Sequence, residues 1–211
     1  HPLISAAMEE EIKKPNGMVI CTGPTGSGKT TTLYTMLNLI YDSEKKIITL
    51  EDPVEYKIAG INQSQIDASN NYSFSDGLRS VIRQDPDIIM VGEIRDLETA
   101  EVAINAALTG HLMLSTMHTN SAAGAVPRLL AMGVKPFLLA PAINAIEAQR
   151  LVRRLCQNCK KVIELDNTTM TLILNELDKI TAESGYKPAS LDNLKFYGPV
   201  GCDQCSNLGY R

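Results

Sequence analysis

One octapeptide constrains this chain more than any other feature. Gly23-Pro-Thr-Gly-Ser-Gly-Lys29-Thr30 matches G-x-x-x-x-G-K-[ST] in full. It stands between an apolar strand pattern, Met18–Thr22, and a helical pattern from about Gly28 to Tyr41. Glycines in such a loop let backbone N–H groups curl around phosphate oxygens, and the following helix N-terminus adds partial positive charge. The lysine reaches the β- and γ-phosphates of a nucleotide, and the hydroxyl after it ligates Mg²⁺. The candidate nucleotide-binding residues are therefore Gly23, Pro24, Thr25, Gly26, Ser27, Gly28, Lys29, Thr30 and Thr31, with Thr30 also a candidate magnesium ligand.

The rest of the first 155 residues fits a sheet around that loop. Lys46–Leu50, Asp87–Val91 and His111–Thr116 are apolar runs of strand length, and Ser75–Gln84 and Leu97–Thr109 carry helical spacing between them. Ala122–Met132 and Phe137–Leu155 read as further helices. Strands alternating with helices predict an α/β fold, a mainly parallel sheet wrapped by helices. With 44% hydrophobic, 21% charged and 5% aromatic residues, the composition suits an aliphatic core and excludes a collagenous or broadly disordered chain. No apolar run approaches the roughly 18 residues of a membrane-spanning helix. Twenty Lys+Arg against 24 Asp+Glu, a net charge of −4, do not favour nonspecific nucleic-acid binding. The chain starts at His1 rather than Met, which reads as a piece of a longer protein.

Phosphoryl transfer needs acidic groups at strand ends beside the loop. Glu93 follows the run Ile88–Val91, where it acts on magnesium, on water, or on both. Glu51, Asp52 and Glu55 follow the strand that ends at Leu50, with Pro53 fixing a turn. His111 and His118 flank the fourth strand. A histidine at its C-terminal end can donate to a γ-phosphate or orient water, while the alternative is a half-buried ring satisfied by backbone. Arg79 and Arg83 are spaced i, i+4 on one helix face and read either as a pair aimed at phosphates, in their own subunit or a neighbour, or as a salt-bridged surface.

Residues 156–211 differ in kind. Four of the five cysteines form two pairs, Cys156-x-x-Cys159 and Cys202-x-x-Cys205, separated by 42 residues that include an amphipathic stretch at Asn167–Ala182 and a Gly/Pro/Ser-containing segment at Ser184–Ser190. Paired knuckles of this kind read as a tetrathiolate zinc site in a reducing compartment. The metal would replace a core that so short a segment could hardly build. Cys21, in the first strand, reads as a small core residue. The domain division expected is 1–155 for the nucleotide-binding domain and 156–211 for a zinc-binding subdomain cut short at Arg211.

Four blocks in order resemble the C-terminal motor domain of the secretion ATPases of type II secretion and type IV pilus assembly. Gly23–Thr30 matches the Walker A loop, and Leu50-Glu-Asp-Pro-Val-Glu55 the acidic box. Arg83–Asp96 matches Walker B and Thr109–Thr119 the His box, while Gln149–Cys156 leads into the cysteine pairs as in that family. The resemblance implies a RecA-like P-loop ATPase that acts as a homohexamer with ATP, Mg²⁺ and Zn²⁺. It implies a place at the cytoplasmic face of the bacterial inner membrane, bound through platform and adaptor proteins, with no specific nucleic acid. By carry-over, Glu93 and Glu51 or Glu55 share the magnesium and water-activating roles, His118 holds the γ-phosphate, and Arg79 and Arg83 join the phosphate environment. The family places a further domain in front that supplies more arginines. About 17 residues precede the first strand here, so ring assembly and full turnover are expected to need that domain. Pilus retraction or DNA translocation by the same fold, and a nucleotide-gated docking module, are the alternatives. The four cysteines argue against retraction, the acidic balance against DNA, and the intact Lys29, Thr30 and Glu93 against docking alone.

Overall fold

A computed structural model of the chain describes residues 2–70, 72–181 and 195–211. They fall into two compact units, His1–Leu151 and Val152–Arg211. In the first unit α1 (Pro2–Glu11) precedes β1 (Gly17–Thr22) and α2 (Lys29–Ile40), followed by β2 (Ile47–Glu51) and β3 (Asn62–Gln65). Then come α3 (Phe74–Ile82), β4 (Ile88–Val91), α4 (Leu97–Leu108), β5 (Leu112–Met117), α5 (Ala125–Met132), α6 (Pro136–Ala142) and β6 (Ile143–Ala148). The six strands form one sheet in the order β3-β2-β4-β5-β1-β6. Every pairing is parallel.

Strand periodicity explains the layers. Successive side chains point to opposite faces, so Ile20, Ile48, Leu50, Ile89, Val91 and Met113 pack with α3, α4, α5 and α6 on one side. Val19, Cys21, Ile47, Ile88, Met90 and Leu114 pack with Leu33, Tyr34 and Leu37 of α2 on the other. The four inner strands are buried at every residue, which is why they read as continuous apolar runs. No helix among the described residues is long and apolar enough to cross a membrane.

The helix expected over 137–155 is a correction. It stops at Ala142, and Ile143–Ala148 forms β6 against β1, with Met18 opposite Ile143 and Thr22 opposite Ala148. Helix-compatible spacing is overridden by an otherwise unpaired edge of β1, whose N–H and C=O groups need partners. The polar edge strand β3 also has no apolar signature in the sequence.

The second unit holds β7 (Lys161–Ile163), α7 (Asn167–Asp178) and β8 (Phe196–Gly198), with β7 and β8 antiparallel. The Asp166 side chain caps α7 by accepting from the Thr169 N–H at 2.8 Å, and no side chain of that helix is buried. Ala182, the expected end of this helix, and the segment Ser184–Ser190 lie outside the described residues. Residues 153–155 belong structurally with the C-terminus. Leu155 bridges Tyr210, the Cys156 N–H donates to Gly209, and the Arg211 N–H to Arg154.

Candidate functional site

The C-terminal ends of β1, β2, β4 and β5 converge on a cavity of about 480 Å³. Its rim is the loop after β1, where Thr25–Thr31 line it. Gly28, the residue before α2, has φ 87°, a left-handed conformation that glycine adopts without penalty. The Lys29 ammonium donates to the Gly23 and Pro24 carbonyls at 2.9 and 3.0 Å, which folds the loop around its side chain. Burial pushes the Lys29 pKa down, with the Glu93 charge working in the opposite sense. The first helical bond of α2 runs from the Thr32 N–H to the Gly28 carbonyl, so the N–H groups of Lys29, Thr30 and Thr31 have no partner within the helix and this end of the cavity is built for an anion.

Opposite the loop stand the acidic residues, and their surroundings differ. Glu51 is 2% exposed and saturated by donors: the Tyr34 and Thr49 hydroxyls bond it, and the Gln63 amide donates at 3.0 Å. Burial, followed by the bond to Glu51, raises the Tyr34 pKa. Glu93 sits on a turn pinned from both sides. The Gly92 N–H donates to Leu50 of β2, the Thr116 hydroxyl to the Gly92 carbonyl, and the Ile94 N–H to Thr116 of β5. One Glu93 carboxylate oxygen meets Arg95. The other, Oε2, is buried without a hydrogen-bond partner, 3.4 Å from His118 Nε2. Ser27 Oγ, also on the cavity wall, is a second buried polar atom with no partner. A buried carboxylate oxygen with no hydrogen-bond partner, lining one cavity with a hydroxyl-bearing phosphate loop, fits a hydrated divalent cation, with Thr30 and Glu93 as the residues to hold it.

The cavity thus gathers Thr25 to Thr31, Glu51, Asp52, Glu55, Glu93 and His118. Gly23 and Pro24 reach it through their carbonyls to Lys29. It does not gather Arg79 or Arg83. Arg79 pairs with Glu98 of α4 at 2.8 Å, and Arg83 donates to Ser80. His111 lies at the start of β5, the far end from the cavity, with its Nδ1 at 3.0 Å from the Ala106 carbonyl. Tyr34, Tyr56, Phe74 and Thr116 line the cavity as well, and sequence reasoning missed them. Thr116 had a signal, its place at a strand end within the block around His118. Tyr34 had only its helical position, one turn beyond the lysine.

In the second unit the sulfur atoms of Cys156, Cys159, Cys202 and Cys205 all lie within 4.8 Å of one another. Three S–S separations are 3.9, 3.8 and 3.7 Å. A tetrahedron of thiolates around zinc has edges of about 3.8 Å, given Zn–S bonds of about 2.3 Å. Backbone N–H groups of Cys202 and Gly209 each point at Cys205 Sγ at 3.2 Å, and that of Gly201 at Cys159 Sγ at 3.3 Å. Burial opposes ionisation of Cys205, yet these amides and the neighbouring thiols bring its pKa down to about 6. The cluster can hold a metal with its four side chains. Cys21, by contrast, is buried beside Glu147, and burial lifts its thiol to about 12.

The sequence matches the family model described as "Type II/IV secretion system protein" over residues 2–211. It is 52% identical over 200 residues to the type IV pilus assembly ATPase PilB of Pseudomonas aeruginosa, covering 95% of this chain and 33% of that protein. It is 48% identical over 204 residues to the type II secretion system protein E of the same organism, covering 97% of this chain and 38% of that protein. Among solved structures, the pilus retraction motor PilT with bound ADP aligns with TM-score 0.60 and 32% identity, over 82% of this chain and 54% of that one. The Legionella pneumophila ATPase DotB aligns with TM-score 0.61 and 34% identity, over 70% and 44%. The chain spans about a third of the length of the curated relatives. An α/β sheet with a phosphate loop, an acidic strand end and a four-cysteine element, matched from end to end by that family model, makes this chain a member of the type II/IV secretion system protein family.

Proposed function

We propose that this chain is the ATP-hydrolysing part of a motor that assembles a type IV pilus or a type II secretion pseudopilus. The observation that carries the reading is Glu93 Oε2: a buried carboxylate oxygen without a hydrogen-bond partner, in the cavity that Lys29 and Thr30 also line. The loop amides and Lys29 bind the β- and γ-phosphate oxygens and offset charge that builds on them during transfer. Magnesium, held by Thr30 and Glu93, would supply further neutralisation of the phosphates. Glu93 also accepts the proton of the water that attacks the γ-phosphorus, while the bond to the bridging oxygen breaks and ADP leaves. Because Glu51 is already satisfied by Tyr34, Thr49 and Gln63, we assign it to fixing the acidic loop rather than to proton transfer. Glu55, exposed on the cavity rim, is left to water-mediated contacts. His118 orients the γ-phosphate or the water from beside Glu93.

The wider reading extends the resemblance carried by the four sequence blocks. The motor works as a homohexamer at the cytoplasmic face of the inner membrane, on platform and adaptor proteins. The four cysteines hold structural zinc, since four protein ligands leave no open position for substrate. We divide the chain at its cysteine element, with the nucleotide-binding domain before it and the zinc-binding subdomain after it. Steady-state MgATP hydrolysis tests the core of this proposal. Lys29→Ala should abolish turnover. Glu93→Gln should keep MgATP binding and lower turnover by at least about tenfold. Equal turnover in Glu93→Gln and the parent removes Glu93 from proton transfer.

A further inference from the structure

The outer side of the phosphate loop is held by a residue that does not line the cavity. Gln149 directly follows β6, and its N–H donates to the Thr22 carbonyl at 2.9 Å, continuing the pairing with β1 to the residue before the loop. Its side-chain Oε1 accepts from the Thr32 hydroxyl at 2.8 Å. Thr32 belongs to the first turn of α2, with its own N–H bonded to the Gly28 carbonyl at 3.0 Å. Gln149 therefore ties β1, where the loop begins, to the helix turn where it ends.

The glycines record how close that residue comes. A Cβ on Gly23 would lie 2.4 Å from the Gln149 carbonyl oxygen, and one on Gly28 3.0 Å from the Gln149 amide nitrogen. Both φ values, 146° and 87°, are also left-handed. The two glycines are thus needed for conformation and for the approach of Gln149. The chain enters its second unit at Val152, three residues on.

Resting on the nucleotide reading above, we infer that Gln149 is a positioning residue: through Thr32 it fixes the first turn of α2, whose N–H groups meet the phosphates. The orientation of those dipoles sets how well an anion is held, so loosening the turn costs nucleotide affinity without touching a ligand contact.

The test is titration of the chain with MgADP, followed by calorimetry at a temperature well below unfolding, beside a Lys29→Ala control. Gln149→Met and Thr32→Val should each weaken binding about three- to tenfold, the range for one lost hydrogen bond. The double variant should be no weaker than the worse single one, because both remove the same bond. Thr32→Ser, which restores the hydroxyl, should bind like the parent. Thr32→Val is nearly isosteric, so it reports even where Gln149→Met does not fold. Parent-like affinity in Thr32→Val, or losses that simply add, overturn the positioning role alone. A parent chain that binds MgADP no better than Lys29→Ala defeats the nucleotide reading and this inference with it.

Discussion

The two units of this chain reach a fixed structure by opposite means. The first buries an aliphatic layer on each face of its sheet, with Leu33, Leu50, Ile89, Val91 and Leu114 wholly inaccessible. In the second, the buried hydrophobic residues among those described are Cys156 and Cys205, and α7 buries no side chain at all. Hydrophobic burial supplies about 25 cal/mol per Å² of apolar surface, so the first unit has ample driving force and the second has little. On the proposed reading a metal held by the four cysteines would fill that deficit, because binding free energy that exists only in the folded state is folding free energy. The contrast teaches that one polypeptide can carry two independent sources of stability, and that they should fail under different insults.

Metal removal makes the sharpest cut between them. The purified chain should contain about one zinc, and chelation under reducing conditions should strip hydrogen-exchange protection from Val152–Arg211. The effect should be large, since structural zinc contributes on the order of 10 kcal/mol in small domains. The sheet of the first unit should keep its protection. Undiminished protection of both units in the metal-free, reduced chain would erase the contrast. The complementary cut is Ile89→Ala, at the centre of the sheet and fully buried. It should cost the first unit about 2–5 kcal/mol in urea denaturation and leave the metal content unchanged.

How far this contrast was legible in the sequence depended on the kind of signal. The inner strands were legible because burial on both faces forces unbroken apolar runs such as Ile88–Val91. The phosphate loop and both cysteine pairs were legible because their chemistry fixes residue types at fixed spacing. β3 and β6 were not, since an edge strand needs backbone partners more than a pattern, and Asn62–Gln65 carries none. Nor was the difference between the glutamates. Glu51 and Glu93 both come just after apolar runs in the sequence, and only tertiary structure brings Tyr34 and Gln63 to one and leaves an oxygen of the other without a hydrogen-bond partner.

That difference gives a prediction of intermediate size. Tyr34→Phe removes one donor from a carboxylate that is 2% exposed, which should cost about 1–3 kcal/mol in urea denaturation. It would show the apolar unit also depends on a buried polar contact. A loss below about 0.5 kcal/mol would mean that Thr49 and Gln63 satisfy Glu51 without the tyrosine.

The smallest effect belongs to Arg79. Spacing placed Arg79 and Arg83 on one helix face, but that face meets α4, where Arg79 pairs with Glu98 at 2.8 Å. The two side chains are 50% and 60% exposed, so water screens the pair and holding two long side chains in register costs entropy. Arg79→Ala should therefore change stability by less than about 1 kcal/mol and leave MgADP affinity of the isolated chain untouched. Assembly is where a hidden role would emerge. Hydrolysis measured across protein concentration compares sites completed within one chain with sites completed by a neighbour. If Arg79→Ala abolishes only the part of turnover that rises faster than linearly with protein, the arginine reaches a neighbouring subunit's phosphates. If that part is unchanged, Arg79 is a solvated surface ion pair, and the phosphate environment of this chain is built without it.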